Sequence, residues 1–347
     1  MSGANASPAR SASAVARSLK KGRSHQKMNR LSELLKLFKG RRVAVLGDFV
    51  ADVFIYGEIS RISREAPVLI LNHRETQLVP GGGANAVHNL RALGAHPLPI
   101  GFVGNDAEGR QLLAFFRKLG IDTKGIRVER SWKTPVKTRI LAGAAHSQRQ
   151  QIVRLDSGGE PKTLPKLKAS IPACEALLVS DYGYGGITRE LVRQVVRNGI
   201  PSTIDSRFSM LDFTGMTAAT PNEPEVEAAL GIQIGHDAAK LESAGRTLLR
   251  KLKHEALLIT RGNDGMSLFE KGKKTEHIPI HGSDEIADVT GAGDTVIATF
   301  TLALAAGGTF SEAARLANYA GGIVVMKHGT RPVTYEELLQ AVQESES

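Results

Sequence analysis

The sequence is short of cysteine, of long uncharged stretches and, near its start, of acids, and each shortage removes a class of protein. One cysteine, Cys174, in 347 residues excludes an internal disulfide and makes a reducing cytoplasm the simplest compartment. The longest uncharged run near the C-terminus lies between Asp294 and Glu312 and is interrupted by two glycines. It falls short of a bilayer span, so it reads as a buried core helix and no membrane partner is expected. The first 42 residues hold eleven Lys/Arg against a single acid, Glu33, and account for the whole formal charge of +10. The remainder balances 34 basic with 34 acidic side chains, so the folded body offers no broad phosphate-tracking surface and nucleic acid is not expected to bind it. Residues 1–30, rich in Ser, Ala and Arg and without apolar periodicity, read as a disordered basic leader. Organelle transit peptides share that acid-poor composition, while the lack of an apolar core run argues against a secretory signal.

From Leu31 onward the chain reads as one domain, residues 31–347, opened by a short amphipathic helix at Leu31–Phe38. Strand and helix signals then alternate. Val43–Leu46, Leu98–Val103, Leu177–Ser180, Ser202–Asp205 and Leu257–Thr260 are short apolar or β-branched runs. Between them lie helical spacings, such as Ala84, Val87, Leu90 and Leu93 closed by Gly94, and a helix capped by Asp106 and closed by Gly120. Two helices finish the chain, at about 294–306 and 311–326. This order predicts an α/β fold with a mostly parallel sheet and helices on both faces, whose ligands bind beyond the carboxyl ends of the strands. Residues 54–78 and 133–156 break the alternation with polar–apolar patterns and read as a small separate sheet, a lid at the ligand edge.

The strongest motif is Asp288-Val289-Thr290-Gly291-Ala292-Gly293-Asp294-Thr295, followed at once by an apolar helical run. Glycines let backbone amides approach an anion, and a helix N-terminus turns the positive end of its dipole toward it. A carboxylate there would repel a phosphate unless its task is to take a proton from a nearby hydroxyl. Anion cradle plus base, with Asp294 as the base and Gly291, Ala292 and Gly293 as the cradle, describes phosphoryl transfer to an alcohol. An Asp cap after a glycine turn would use the same letters, but flanking Asp288 and Thr290 favour the chemical reading. Near the other end, Asp48, Asp52 and Asn85 supply groups that pair with sugar hydroxyls, and Gly82 and Gly83 permit close backbone approach; Asp48 and Asn85 would also serve as strand-end and helix-start caps. Asn222-x-x-Glu225 suits a hydrated Mg²⁺ that keeps several waters, or a plain helix cap. Arg139, Arg149 and Arg154, with Arg61 and Arg64, are cations on the lid segments for an anionic acceptor, or solvated strand charge.

The motif at 288–295, together with Pro80-Gly81-Gly82-Gly83-Ala84-Asn85, resembles the two signatures of the ribokinase-like (PfkB) carbohydrate kinases, over residues 42–340. GDFVAD, SRISREAPV, VPGGGANAVHNLRALGA, RQQIVRLD, LVSDYGYG, TPNEPE and TRGNDGMSL are similar to the subgroup acting on D-glycero-D-manno-heptose 7-phosphate. The resemblance implies a Rossmann-like sandwich with a β-lid, ATP and Mg²⁺, a monovalent cation near the cradle aided by Asp288 and Thr290, and a homodimer formed through the lid. It assigns Asp52, Gly83 and Asn85 to the sugar phosphate and Asn222 and Glu225 to Mg²⁺ through water. It places Thr260, Arg261, Gly262 and Gly265 in the nucleotide loop and Asn318 near adenine. Two positions depart from the subgroup: Tyr184 stands in place of a lysine, and Asp205-Ser206-Arg207-Phe208 replaces another lysine-bearing stretch, where Arg207 is the available cation. These departures bear on the substrate, leaving another sugar kinase or a weakly catalytic, ligand-sensing relative as alternatives. Bifunctional members carry a nucleotidyltransferase domain for which 347 residues leave no room, so a kinase alone is expected.

Overall fold

The computed structural model describes residues 30–143, 149–160, 171–196, 199–282, 288–327 and 329–345. The basic leader expected over 1–30 lies, but for Arg30, outside them. A helix at 30–36 (α1) buries Leu31, Leu34 and Leu35. The elements that follow are β1 (Arg42–Ile62), β2 (Leu69–Gly82), α2 (Gly83–Ala92), β3 (His96–Gly104), α3 (Ala107–Lys118), β4 (Ile126–Glu129), β5 (Val136–Gly143) and β6 (Gln150–Ser157). Then come β7 (Ala176–Asp181), α4 (Arg189–Val195), β8 (Ser202–Ser206), β9 (Ala218–Ala219), α5 (Glu223–Leu230), α6 (Ala238–Leu252) and β10 (Ala256–Thr260). The chain closes with β11 (Met266–Glu270), β12 (Glu276–Ile278), α7 (Ala292–Ala305), α8 (Phe310–Val325) and α9 (Tyr335–Glu344).

The central sheet runs β12-β11-β10-β9-β8-β7-β1-β3-β4. It is parallel from β4 to β10 and antiparallel at β11 and β12. Successive strand side chains face opposite sides, so one strand feeds two cores. Val43 and Val45 of β1, Leu178 of β7 and Leu258 of β10 join α1, α2, α3, α7, α8 and α9 on one face. Ala44, Leu46, Leu177 and Leu257 join α4, α5 and α6 on the other. The chain therefore has the expected α/β sandwich, a mostly parallel sheet with helices on both faces. Helix α7 sits in the thicker layer with nearly every residue buried, including Phe300 at 0 % exposure, which is why its run of residues is apolar without being a membrane span. No helix among the described residues is long and apolar enough to cross a membrane.

The lid is less separate than the sequence pattern suggests. Instead of a core strand at 43–46 and a distinct insertion at 54–78, β1 is one strand of 21 residues. Its first part pairs with β3 and β7; from Phe49 it pairs antiparallel with β2, and from Ala51 parallel with β5. Strand β6 completes the lid against β5. Nothing in residues 49–62 stops a strand, since Phe, Val, Ile and Tyr recur and Gly57 is absorbed at a shift in register. The lid is thus a continuation of the central strand.

The approach to β5 is fixed by Asp106. Its carboxylate accepts from Gly109 N (2.8 Å), capping α3, and also from Thr134 N (2.8 Å) and Thr134 Oγ1 (2.7 Å). These bonds hold its carboxyl below the usual range against the opposing effect of burial. Removing a cap of this kind costs about 0.5–2 kcal/mol, so chemical denaturation of Asp106→Ala should show a loss of that size, and an unchanged midpoint would contradict it.

Candidate active site

A cleft of 540 Å³ opens where the carboxyl ends of β7, β8 and β10 meet the start of α7 and the underside of the lid. Gly291, at φ +79°, turns the chain into α7. A side chain there would be strained, and its Cβ would lie 2.6 Å from Asn85 Nδ2. Thr295 N is the first amide of the turn to close a helical bond, to Gly291 O at 3.1 Å, and Ala292 N bonds Val289 O. The amides of Gly293 and Asp294 are left among the helix's orphan donors. Of the Gly291–Gly293 amides expected to face an anion, that of Ala292 is thus taken up by the turn itself.

Asp294 is 3 % exposed. Its Oδ2 accepts from Asn85 Nδ2 at 3.0 Å and its Oδ1 from the Tyr182 hydroxyl at 2.9 Å. Burial pushes its carboxyl up to about 7, while those two bonds and the Lys137 charge pull it down. Tyr182 itself stays protonated, because desolvation and the Asp294 charge hold its phenol well above the ordinary value. A carboxyl poised near neutrality with a free approach from a cleft is what a general base requires. Asn89 sits behind: its amide donates to Asn85 O and Oδ1 at 3.0 and 3.1 Å, and its oxygen takes the Thr295 hydroxyl at 3.2 Å.

On the lid side Asp52 also lines the cleft. Arg139 Nη1 donates to its Oδ1 at 2.7 Å, and Thr330 Oγ1 to its Oδ2 at 3.3 Å. A Cβ on Gly81 would fall 2.6 Å from that carboxylate, which explains the glycine there. Gly82 reaches the cleft and Gly83 starts α2 with its backbone against Gly47. Asp48 does not line the cleft. Its Oδ2 accepts from Tyr182 N (2.9 Å) and Tyr184 N (3.2 Å), and burial with the Asp181 charge raises its carboxyl to about 7. It fixes the turn that carries Tyr182.

On the opposite side, Asp205 at the end of β8 and Glu225 on α5 line the same cleft. Desolvation pushes both upward; the Glu225 and Asp294 charges add to it at Asp205, which is held well above the carboxylate range, while the Asn222 bonds and the Arg207 charge pull Glu225 back. Asn222 and Glu225 form a reciprocal capping box, Glu225 N to Asn222 Oδ1 at 2.8 Å and Asn222 N to Glu225 Oε2 at 2.9 Å. Thr260, Gly262 and Gly265 form a neighbouring wall, with Asn222 bridged to Thr260. Asn318, also lining the cleft, donates to Pro279 O at 2.8 Å. Arg261 turns away to Glu223 (2.9 Å) and Asp264 (3.2 Å) and ties the loop down. Asp288 binds backbone amides of Thr290 (2.8 Å) and Gly329 (3.2 Å).

Of the lid arginines, Arg139 and Arg154 line the cleft, Arg154 already paired with Asp156 at 2.8 Å. Arg61, Arg64 and Arg149 do not, and Arg149 lies over the Tyr56 ring. Arg207 lines the cleft, whereas Tyr184 packs its ring where a Cβ of Gly159 would stand. Sequence reasoning missed Lys137, Tyr182 and Thr330. Lys137 was within reach: it stands two residues before Arg139 on one strand, hence on the same face. Tyr182 and Thr330 carry no local signal, since only the fold brings them to Asp294 and Asp52.

The pfkB family carbohydrate kinase model matches residues 41–180 and 193–337. The chain is 37 % identical over 324 residues to the bifunctional protein HldE of Desulfatibacillum aliphaticivorans, covering 89 % of this chain and 65 % of that protein. It is 40 % identical over 311 residues to the HldE of Trichlorobacter lovleyi, covering 86 % and 62 %. The chain thus spans less than two thirds of these relatives' length. Among solved structures it resembles the Arabidopsis thaliana ribokinase complexed with ribose and ATP (TM-score 0.69, 20 % identity, 88 % of this chain and 99 % of that one). It also resembles Escherichia coli phosphofructokinase-2 in complex with fructose-6-phosphate (TM-score 0.68, 16 % identity, 88 % and 99 %).

Asp294 destabilises the fold when ionised. Its folded pKa of about 7 exceeds the ordinary 3.8, so its contribution to stability is complete below about 4 and is lost as pH rises toward 7. Asp294→Asn, which does not ionise, should gain on the wild type over that interval. Melting curves at pH 5 and pH 8 should show the larger gap at pH 8, and equal gaps would contradict the assignment.

Proposed function

This chain belongs to the pfkB family of carbohydrate kinases, and we propose that the sugar it phosphorylates is D-glycero-D-manno-heptose 7-phosphate, at the anomeric hydroxyl. The coarser statement, an ATP-dependent sugar kinase, is the family's. Support for the finer one is the run of stretches similar to the heptose subgroup, the likeness to the HldE proteins over the kinase-family segment, and cationic Arg139, Arg154 and Arg207 around a cleft that also holds Asp52. An acceptor carrying its own phosphate would meet those guanidiniums.

The observation that carries the mechanism is the placement of the Asp294 carboxylate, between Asn85 and Tyr182, in one cleft with Asp52 and with the Asp205–Glu225 pair. Asp294 accepts the proton of the attacking hydroxyl. The acceptor oxygen bonds the γ-phosphorus as the bond to the bridging oxygen breaks, and the electron pair leaves with ADP. The amides of Gly293 and Asp294 and the dipole of α7 stabilise charge on the transferring group. Asp52 and Arg139 orient the sugar, and Thr260, Gly262, Gly265 and Asn318 take the nucleotide. Among the described residues no group of three His, Cys, Asp or Glu is arranged as a metal cage. Asp205 and Glu225, two desolvated carboxyls on one cleft wall, would fit instead a hydrated Mg²⁺ held with Asn222 through water. When bound, the ion neutralises the phosphates of ATP.

Purified protein supplied with ATP and, in separate reactions, the heptose 7-phosphate, fructose 6-phosphate or ribose should phosphorylate the heptose with the highest kcat/KM. Preference for another acceptor would overturn the substrate while leaving the kinase. Asp294→Asn should lower kcat by about 10²- to 10⁴-fold, the range for loss of a general base, and wild-type kcat/KM should fall on acidification through about pH 7. A homodimer through the lid is the companion proposal, supported by exposed Leu69, Ile152, Val153 and Leu155 on β2 and β6. Light scattering should return twice the chain mass, and Leu155→Asp should halve it.

A further inference from the structure

Lys137 has no ion-pair partner among the described residues and no assigned task. It is 7 % exposed, lies on the lid strand β5 opposite Asp52 of β1, and lines the cleft. Its Nζ stands 4.4 Å above the centroid of the Tyr182 ring, the ring whose hydroxyl donates to Asp294. The neighbouring cation Arg139 has Asp52 at 2.7 Å, but among the described residues Lys137 makes no ion pair within 4.0 Å. Asp52 on β1 and Asp294 on α7 favour its charge from a distance. Burial, Arg207 after β8 and Arg139 on its own strand oppose it, and the balance lowers the ammonium below its usual range. A buried ammonium left without an anion is costly, and a fold retains one where a ligand supplies the partner.

We propose that Lys137 is a catalytic residue of this kinase, whose ammonium, carried in on the lid, contacts the phosphoryl group as it moves from ATP to the acceptor oxygen. The inference rests on the kinase reading above and deepens it. Its position decides which anion it meets. Tyr182 links it to Asp294, so the charge sits beside the base and not at the rim, where Arg154 would face an acceptor phosphate. The lysine keeps its proton throughout, donating N–H bonds to equatorial oxygens of the transferring group, while the acceptor's proton goes to Asp294 and the electron pair of the broken bond to ADP. Tyr184 brings no cation to the cleft, so among the lysines of the described residues the cleft is lined by Lys137. The lid thereby contributes to the reaction as well as excluding water.

The test compares the full-length wild type with Lys137→Met and Lys137→Arg, using ATP and the sugar phosphate preferred by the wild type. For Lys137→Met, kcat should fall by about 10²- to 10³-fold, the loss typical of one donor to a charged transition state, with KM for ATP changed less than about threefold. Lys137→Arg should restore part of that loss. The acid limb of the kcat/KM profile should move to higher pH in the Met variant, because the Lys137 charge pulls the Asp294 carboxyl down. Ligand-free Lys137→Met should melt no lower than the wild type, and calorimetry should show ADP binding kept but ADP–aluminium fluoride binding with the sugar phosphate weakened. A Met variant turning over within threefold of an active wild type would overturn the inference alone. So would a loss confined to KM for the sugar phosphate. A wild type without turnover on any sugar phosphate would overturn the kinase reading and this inference with it.

Discussion

A carboxylate buried at the first turn of α7 is the constraint around which the cleft is organised. Left alone at 3 % exposure, Asp294 would be a neutral acid. Its two oxygens are instead each given one donor, from Asn85 and Tyr182, with the Lys137 charge nearby. The carboxyl is thereby held near 7, able to ionise yet ready to take a proton. Each supporting group needs its own support. Asn85 is oriented by Asn89, and the turn bearing Tyr182 is pinned by Asp48. Asp48 and Asn89 thus act on Asp294 through the groups that touch it.

The second organising feature is β1. Because one strand serves as the centre of the main sheet and as the spine of the lid, Asp48 and Asp52, four residues apart, fall on opposite sides of the transition. The first stabilises the floor of the cleft and the second lines it. Strand β5, parallel to β1, brings Lys137 and Arg139 beneath the lid, and its entry is tied by Thr134 to Asp106 of the main body. The strand that bears these two cations is therefore anchored at its entry.

Residues with a local signature were legible in the sequence: the Gly291–Asp294 turn, the Asn222–Glu225 box and the strand ends that line the cleft. The alternation of short apolar runs with helical spacings fixed the mostly parallel sheet because period two and period 3.6 differ over even a few residues. Boundaries inside the lid were not legible, since a strand that leaves one sheet and enters another shows no break in its backbone conformation. Nor was the division of labour between Asp48 and Asp52, because both are single acids in an apolar strand and only their partners separate them. Asn222 shows both of its possible tasks, capping α5 while lining the cleft. Lys137 looked like any polar residue of a lid strand, and its meaning came from Tyr182 beneath it.

The central claim is that the Asp294 carboxyl is tuned to exchange a proton near neutrality in this cleft. Carbon-13 NMR of labelled aspartate side chains, assigned by Asp294→Asn, follows that titration directly in the ligand-free protein. An apparent pKa of about 7 is expected. A carboxyl that titrates near 4, as a solvated aspartate does, would contradict the account.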